Sequence, residues 1–214
     1  TFEIPFCIVV SVLVTLLALN FFNGTPATIS RIDGLILILL FFGYMYYSFV
    51  RDKKNAQQAP VEANEPILSL WKSILKVVGG LALLIVSCDF FVDSAVSIAK
   101  SWGVSDAIIS LTLIACGTSL PELAASVVAA FKKNTQLALG NIVGSNIFNI
   151  LLILGLSSQV MPLNSAGITV VDYAVMIGAA IVPLLFGFNK KIGRVGGALM
   201  VIAFAVYTWY LIAG

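Results

Sequence analysis

Apolar and polar positions alternate along this chain on a coarse scale, as long apolar runs separated by short polar breaks. The runs cover residues 5–22, 34–50, 74–99, 107–131, 137–156, 169–188 and 195–213. A membrane-crossing helix needs about 20 consecutive apolar residues, within a range of about 17–25. The pattern therefore predicts an all-α membrane protein, a polytopic bundle with seven transmembrane helices in this chain. The run 74–99 is interrupted in its second half by Asp89 and Asp93. Its length suits a tilted helix whose polar face turns toward other helices. The one extended polar stretch, from Arg51 to Ser69, is rich in Gln, Ala, Asn, Pro and charge. It reads as a flexible linker between two helix groups, too short to hold a folded regulatory domain. Residues 22–30 contain Asn23-Gly24-Thr25, a glycosylation sequon in form, which a loop this short explains as coincidence.

One run departs sharply from the pattern. Between residues 107 and 131 the chain reads Gly117-Thr118-Ser119-Leu120-Pro121-Glu122. A charge at bilayer depth costs about 2.5–3.5 kcal/mol on insertion scales. Pro121 removes a backbone donor and clashes with the preceding turn, so the carbonyls around Cys116 and Gly117 are expected to be loosened. Irregular backbone at membrane depth survives only where protein or a water-filled cavity satisfies it. Thr118 and Glu122 are four residues apart and share a helix face, with Ser119 beside them and Ser126 one turn on. The next run carries Asn141, Ser145 and Asn149 every four residues, a second polar stripe. Gly140 and Gly144 add a spacing that permits close helix approach, and packing is their expected role. The Lys132-Lys133 turn makes the two helices antiparallel, so counting inward from opposite ends brings Glu122 and Asn149 to similar depth. Thr118, Ser119, Glu122, Ser145 and Asn149 are all oxygen ligands, a set that suits Na⁺ or Ca²⁺ over soft metals. Asn146 fits a packing interface or a backbone cap better than ligation. Asp93, near the outer end of its helix, reads as solvated, and Asp89 divides between a helix–helix hydrogen bond and a place on an ion path.

Composition sharpens this picture by exclusion. The 214 residues are 60% hydrophobic and 10% charged, which is a membrane composition. There is no histidine, so imidazole catalysis and His-based metal sites are excluded. Cys7, Cys88 and Cys116 lie in apolar runs without paired spacing and read as small buried residues. The Ser and Asp residues form no recognisable nucleophile–base arrangement, so the chain reads as no enzyme. No ring of like residues or re-entrant filter suggests a channel. If the 51–73 linker is cytoplasmic, ten of the twelve basic residues fall inside, all but Arg31 and Lys100. The N-terminus of the chain is then inside and its C-terminus outside. Trp71, Trp102, Tyr207, Trp209 and Tyr210 fall near the expected interfaces.

An internal repeat points to the same class of protein. An offset of 163 residues sets Arg31 on Arg194, Gly34 on Gly197, Phe41 on Phe204, Tyr44 on Tyr207 and Tyr47 on Tyr210. The copies are the second and seventh helices, five apart in order, and an odd offset gives them opposite orientation. Inverted repeats with broken helices meeting at the midplane are typical of secondary transporters.

The residues resemble the sodium/calcium exchanger branch of the calcium:cation antiporter superfamily. The similarity is close over residues 117–149, GTSLPELAASVVAAFKKNTQLALGNIVGSNIFN, which matches the second α-repeat. It is looser elsewhere, from the fourth of that family's ten helices to the last. The resemblance implies a ten-helix inverted-repeat antiporter that exchanges Ca²⁺ for Na⁺ across a plasma (inner) membrane, with no resident cofactor. It implies binding roles for Thr118, Ser119, Glu122, Ser145 and Asn149, and for the backbone carbonyl of Ala115. Potassium-dependent relatives carry Asp at the position of Asn149, so potassium independence is implied. Cation/proton exchangers favour a GNxxE pattern where this chain has Gly140-Asn141-Ile142-Val143-Gly144. A cation/proton or other divalent-cation antiporter and a non-transporting scaffold remain the alternatives. Residues 1–50 would be the last two helices of an N-terminal half, 51–73 the cytoplasmic linker, and 74–214 the C-terminal half with its α-repeat at 107–156. The expected partners are Ca²⁺, Na⁺, membrane lipid and a missing N-terminal half bearing the first α-repeat, with no nucleic acid. Glu122 brings a single charge, whereas Ca²⁺ takes about 6–8 oxygens and commonly more than one carboxylate. The chain alone is therefore expected to be inactive.

Overall fold

The computed structural model describes residues 2–19, 28–58, 69–109, 112–113, 115–165, 167–187 and 193–213. The helices are α1 (Glu3–Ala18), α2 (Arg31–Gln58), α3 (Leu70–Ser101), α4 (Asp106–Ile109), α5 (Ala115–Gly117), α6 (Leu120–Phe131), α7 (Thr135–Phe148), α8 (Leu154–Val160), α9 (Val170–Gly187) and α10 (Arg194–Ala213). A π-helical turn, Asn149–Ile153, joins α7 to α8 without a break. The pieces α4, α5 and α6 fall in the broken run, and α7, the π turn and α8 in the next, so each of the seven apolar runs contains helix. Among the described residues, four helical stretches are long and apolar enough to cross a membrane: Arg31–Lys54, Leu70–Ser101, Thr135–Val160 and Arg194–Ile212. The protein is an all-α polytopic membrane protein.

Helix α2 runs past Val50 to Gln58, into the stretch expected to be linker. Its Lys, Ala and Gln residues are good helix formers, and extending a nucleated helix is easy. The rest of that stretch up to residue 68 and the Asn23 sequon lie outside the described residues.

The chain forms two compact units. The first comprises residues 1–60 and 139–196. In it α1 packs on α9, and α2 packs on α8 and the π turn, around Val10, Leu37, Ile147 and Leu151, all fully buried. The α2–α8 crossing is close because both helices offer glycine. A Cβ on Gly155 would sit 3.0 Å from the Gly34 carbonyl oxygen and 2.9 Å from Ile38 Cγ1. Small residues at such crossings let backbones approach and gain van der Waals contact. The crossing is pinned by Gln159 Nε2, which donates to the Arg31 carbonyl at 2.7 Å. The Gly140/Gly144 pair behaves differently: a Cβ at either would meet no atom within 4 Å among the described residues.

Helix entry in this unit is fixed by two matching caps. The Asp33 carboxylate accepts the Ser30 N–H at 2.8 Å, and Ser30 Oγ accepts the Asp33 N–H at 3.2 Å. Thr169 and Asp172 repeat the arrangement at the start of α9. These reciprocal bonds satisfy donors that a helix start leaves orphaned. Just before α2, the strands β1 (Thr28–Ile29) and β2 (Leu163–Asn164) pair antiparallel. Ser165 Oγ donates to the last carbonyl of α1, at Ala18, at 2.8 Å. Near the opposite end of α1, Glu3 pairs with Arg51 of α2.

The second unit comprises residues 61–138 and 197–214. Here α4, α5 and α6 lie along α3. The turn after α3 uses Gly103 at φ 77°, a conformation open to glycine. Lys100 and Asp106 face each other across that turn at 3.1 Å. A Cβ on Gly117 would approach Val92 Cγ2 to 2.5 Å, so α5 rests directly on α3 there.

Candidate functional site

The break in the 107–131 run is deeper than a proline kink. Helix α5 ends at Gly117, Thr118 and Ser119 form a turn, and α6 begins at Leu120 with Pro121 in its first turn. Proline is well tolerated there, because the N–H it lacks would have no partner in the helix. Pro121 therefore starts a helix instead of bending one. The Cys116 carbonyl expected to be loosened accepts the Ser119 N–H at 3.0 Å. Glu122 falls in the first turn of α6, half-buried, at the positive end of the helix dipole. Thr118 and Ser119 are exposed on the turn that precedes it. Ala115 opens α5, one turn before Thr118. The second unit thus gathers a backbone carbonyl, two hydroxyls and a carboxylate within eight consecutive residues, 115–122.

Ser145 and Asn149 belong to the first unit. Ser145 Oγ donates back to the carbonyls of Asn141, at 2.8 Å, and Ile142, at 3.1 Å. Its proton is thereby committed to the helix, and the hydroxyl presents oxygen lone pairs outward, as a cation ligand must. Val143, Ile147 and Leu151 are buried at four-residue spacing. Asn141, Ser145 and Asn149 are two residues out of phase with them and occupy the opposite side of the helix.

Asn149 opens the π turn, and the Leu154 N–H reaches back five residues to its carbonyl. A four-residue step on an α-helix overshoots a full turn by about 40°, so a long stripe with that spacing drifts around the helix. The wider π turn, which begins at Asn149, takes up an extra residue beyond it. Leu151 is buried there, while Ser145 is half-buried and Asn149 exposed. Phe41 of α2 holds the adjacent Phe148 ring edge-on, centroids 5.6 Å apart at 81°. π turns of this kind concentrate at functional sites. Nothing in the apolar sequence Asn149-Ile150-Leu151-Leu152-Ile153 announces one.

The five side-chain ligands expected from sequence thus stand as two sets, one in each unit. Among the described residues, no three His, Cys, Asp or Glu side chains gather into one cluster.

Comparison with known proteins bears on the chain as a whole. Residues 72–213 match the family model described as sodium/calcium exchanger protein. The chain is 37% identical over 209 residues to the putative antiporter CaxA of Alkalimonas amylolytica, covering 94% of this chain and 65% of that protein. It is 41% identical over 112 residues to the sodium/calcium exchanger MaX1 of Methanosarcina acetivorans, covering 52% of this chain and 32% of that one. Among solved structures it is similar to the sodium-calcium exchanger NCX_Mj soaked with 2.5 mM Na⁺ and 0.1 mM Sr²⁺, with a TM-score of 0.71 and 31% identity. That likeness covers 95% of this chain and 64% of the solved one. The chain spans just under two-thirds of the length of these two longest matches.

Proposed function

The chain belongs to the sodium/calcium exchanger family of membrane transporters, and on that premise we propose that it carries half of the ion site of an antiporter exchanging Ca²⁺ for Na⁺ by alternating access. The observation that carries this reading is the turn Thr118-Ser119 followed by Glu122 in the first turn of α6, within the apolar run 107–131. Oxygen donors alone, with one carboxylate among them, suit hard cations. Glu122 supplies the charge, Thr118, Ser119 and Ser145 supply hydroxyls, and Asn149 and Ala115 supply carbonyl oxygens.

The exchange follows from electrostatics. A carboxylate stripped of its cation at low dielectric is costly to carry across the membrane centre. A site that changes sides does so with an ion aboard, and Ca²⁺ and Na⁺ compete for the same oxygens. Ca²⁺ takes about 6–8 oxygens, so the reading includes a second, opposite-facing repeat that completes the shell within a ten-helix fold. In it, residues 1–50 close the N-terminal half, 51–73 form the cytoplasmic linker, and 74–214 form the C-terminal half with its α-repeat at 107–156. The ten-to-two bias of basic residues puts the start of the chain and the linker in the cytoplasm and the C-terminus outside, in a plasma or inner membrane.

The test is ⁴⁵Ca²⁺ uptake by the intact protein in Na⁺-loaded vesicles. Uptake should require the outward Na⁺ gradient and collapse when inside and outside Na⁺ are equal. Uptake indifferent to Na⁺, or driven by a proton gradient alone, would replace this reading with a cation/proton antiporter, and no uptake at all with a scaffold.

A further inference from the structure

Asp89 has no part in the site described so far, yet it sits in the middle third of α3, the longest apolar helix of the chain. A carboxylate there needs a compensating charge, and this chain offers none nearby in sequence. No Lys or Arg occurs between residues 77 and 99, or between 101 and 131. The packing of the second unit gives Asp89 a depth. The Lys100–Asp106 pair marks where the chain turns back at the end of α3, and Gly117 meets Val92 further down. Helix α6, which follows, also packs against α3. Asp89 lies three residues below Val92, about 4.5 Å along the axis. Glu122 follows Gly117 by five residues, across the Thr118-Ser119 turn. Both carboxylates thus stand close to the Val92–Gly117 contact. Around α3, Asp89 is about 60° from Val92, the residue that faces α5, and it is exposed, not packed into the unit. Asp93 is about 100° from Val92 and lies above it, on the Lys100 side.

We propose that Asp89 is a further ion-path residue, a second carboxylate in this chain that draws hard cations, divalent ones above all, toward Glu122. The proposal rests on the exchange reading above and adds a residue to it. Its role is long-range attraction, with no direct ligation required. Coulomb energy is proportional to ionic charge, so removing Asp89 weakens Ca²⁺ twice as much in free energy as each Na⁺. The fold-change for Ca²⁺ is then the square of that for Na⁺.

The experiment is Na⁺-driven ⁴⁵Ca²⁺ uptake by the intact protein in vesicles, comparing native, Asp89→Asn, Asp89→Glu and Asp93→Asn proteins. Asp89→Asn should raise the half-saturating Ca²⁺ concentration about tenfold and that of Na⁺ about threefold, with the maximal rate within about twofold. Asp89→Glu should stay near native values in both, and Asp93→Asn should be unchanged. Unchanged half-saturation in Asp89→Asn would overturn the proposal. So would equal losses in Asp89→Asn and Asp89→Glu, which would make the side chain a packing element. A native protein that takes up Ca²⁺ without regard to Na⁺ would instead sink the exchange reading. Dependence on Asp89 would then still register in the Ca²⁺ concentration series.

Discussion

Gly155→Ala should destabilise the protein even though alanine is the better helix former. The added Cβ would lie 2.9 Å from Ile38 Cγ1 and 3.0 Å from the Gly34 carbonyl oxygen. Comfortable carbon contacts are about 3.5–4.0 Å, so the overlap is about half an ångström or more. The Ile38 side chain can shift, but the Gly34 oxygen is backbone and moves only with α2. Overpacking of this kind costs about 1–3 kcal/mol. Replacing glycine in a helix interior returns about 0.8–1.0 kcal/mol, so the net is a loss of about 1 kcal/mol. For a chain of this size that lowers the melting temperature by about 2–4 °C. Gly43 on α2 is the control, because a Cβ there meets nothing within 4 Å among the described residues. Gly43→Ala keeps the propensity gain without the overlap and should melt at or above the native temperature. The assay is thermal denaturation of the purified variants in one detergent, followed by tryptophan fluorescence and checked by size-exclusion profile. If Gly155→Ala melts with Gly43→Ala, the close α2–α8 crossing is wrong.

Two further outcomes follow from single residues. Asn149→Asp sets a second negative charge among the proposed ligands and should make transport K⁺-dependent, with native transport indifferent to K⁺. Uptake measured with and without K⁺ checks both, and strong K⁺ dependence of the native protein would refute the assignment. Asp172→Ala removes the carboxylate that accepts the Thr169 N–H at 2.7 Å and its hydroxyl at 2.9 Å. It should cost about 1 kcal/mol of thermal stability, with Asp172→Asn losing less; equal stability of the alanine variant would remove the cap from the account.

What the sequence made legible was whatever disturbed an apolar run. Pro121 and Glu122 stand out in residues 107–131 because both are unwelcome in a membrane helix, and the chain does break there. The form of the break was less legible: the turn at Thr118-Ser119 makes Pro121 a helix-starting residue, which the same letters permit equally well. The π turn at Asn149 left no trace, because no residue type in 149–153 marks one; Leu151 within it and Ile147 just before it are both fully buried. Spacing marked Gly140 and Gly144, where an added Cβ meets nothing within 4 Å among the described residues, but it gave no sign of Gly34 and Gly155, far apart in sequence, which make a close approach. Composition marked 51–69 as linker, yet its first residues are good helix formers and extend α2 to Gln58. The two caps, Ser30-x-x-Asp33 and Thr169-x-x-Asp172, went unread in the sequence, although such a pattern before an apolar run marks a helix start, as it does for α2 and α9.

The central claim is that Glu122 supplies the charge that holds the transported ion. Glutamine keeps an oxygen and nearly the same volume while removing that charge, so comparing Glu122→Gln with the native protein isolates it. The measurement is Na⁺-gradient-driven ⁴⁵Ca²⁺ uptake in vesicles containing equal amounts of folded native or variant protein. Uptake by Glu122→Gln should fall to the level of protein-free vesicles, and near-native uptake by that variant would contradict the account.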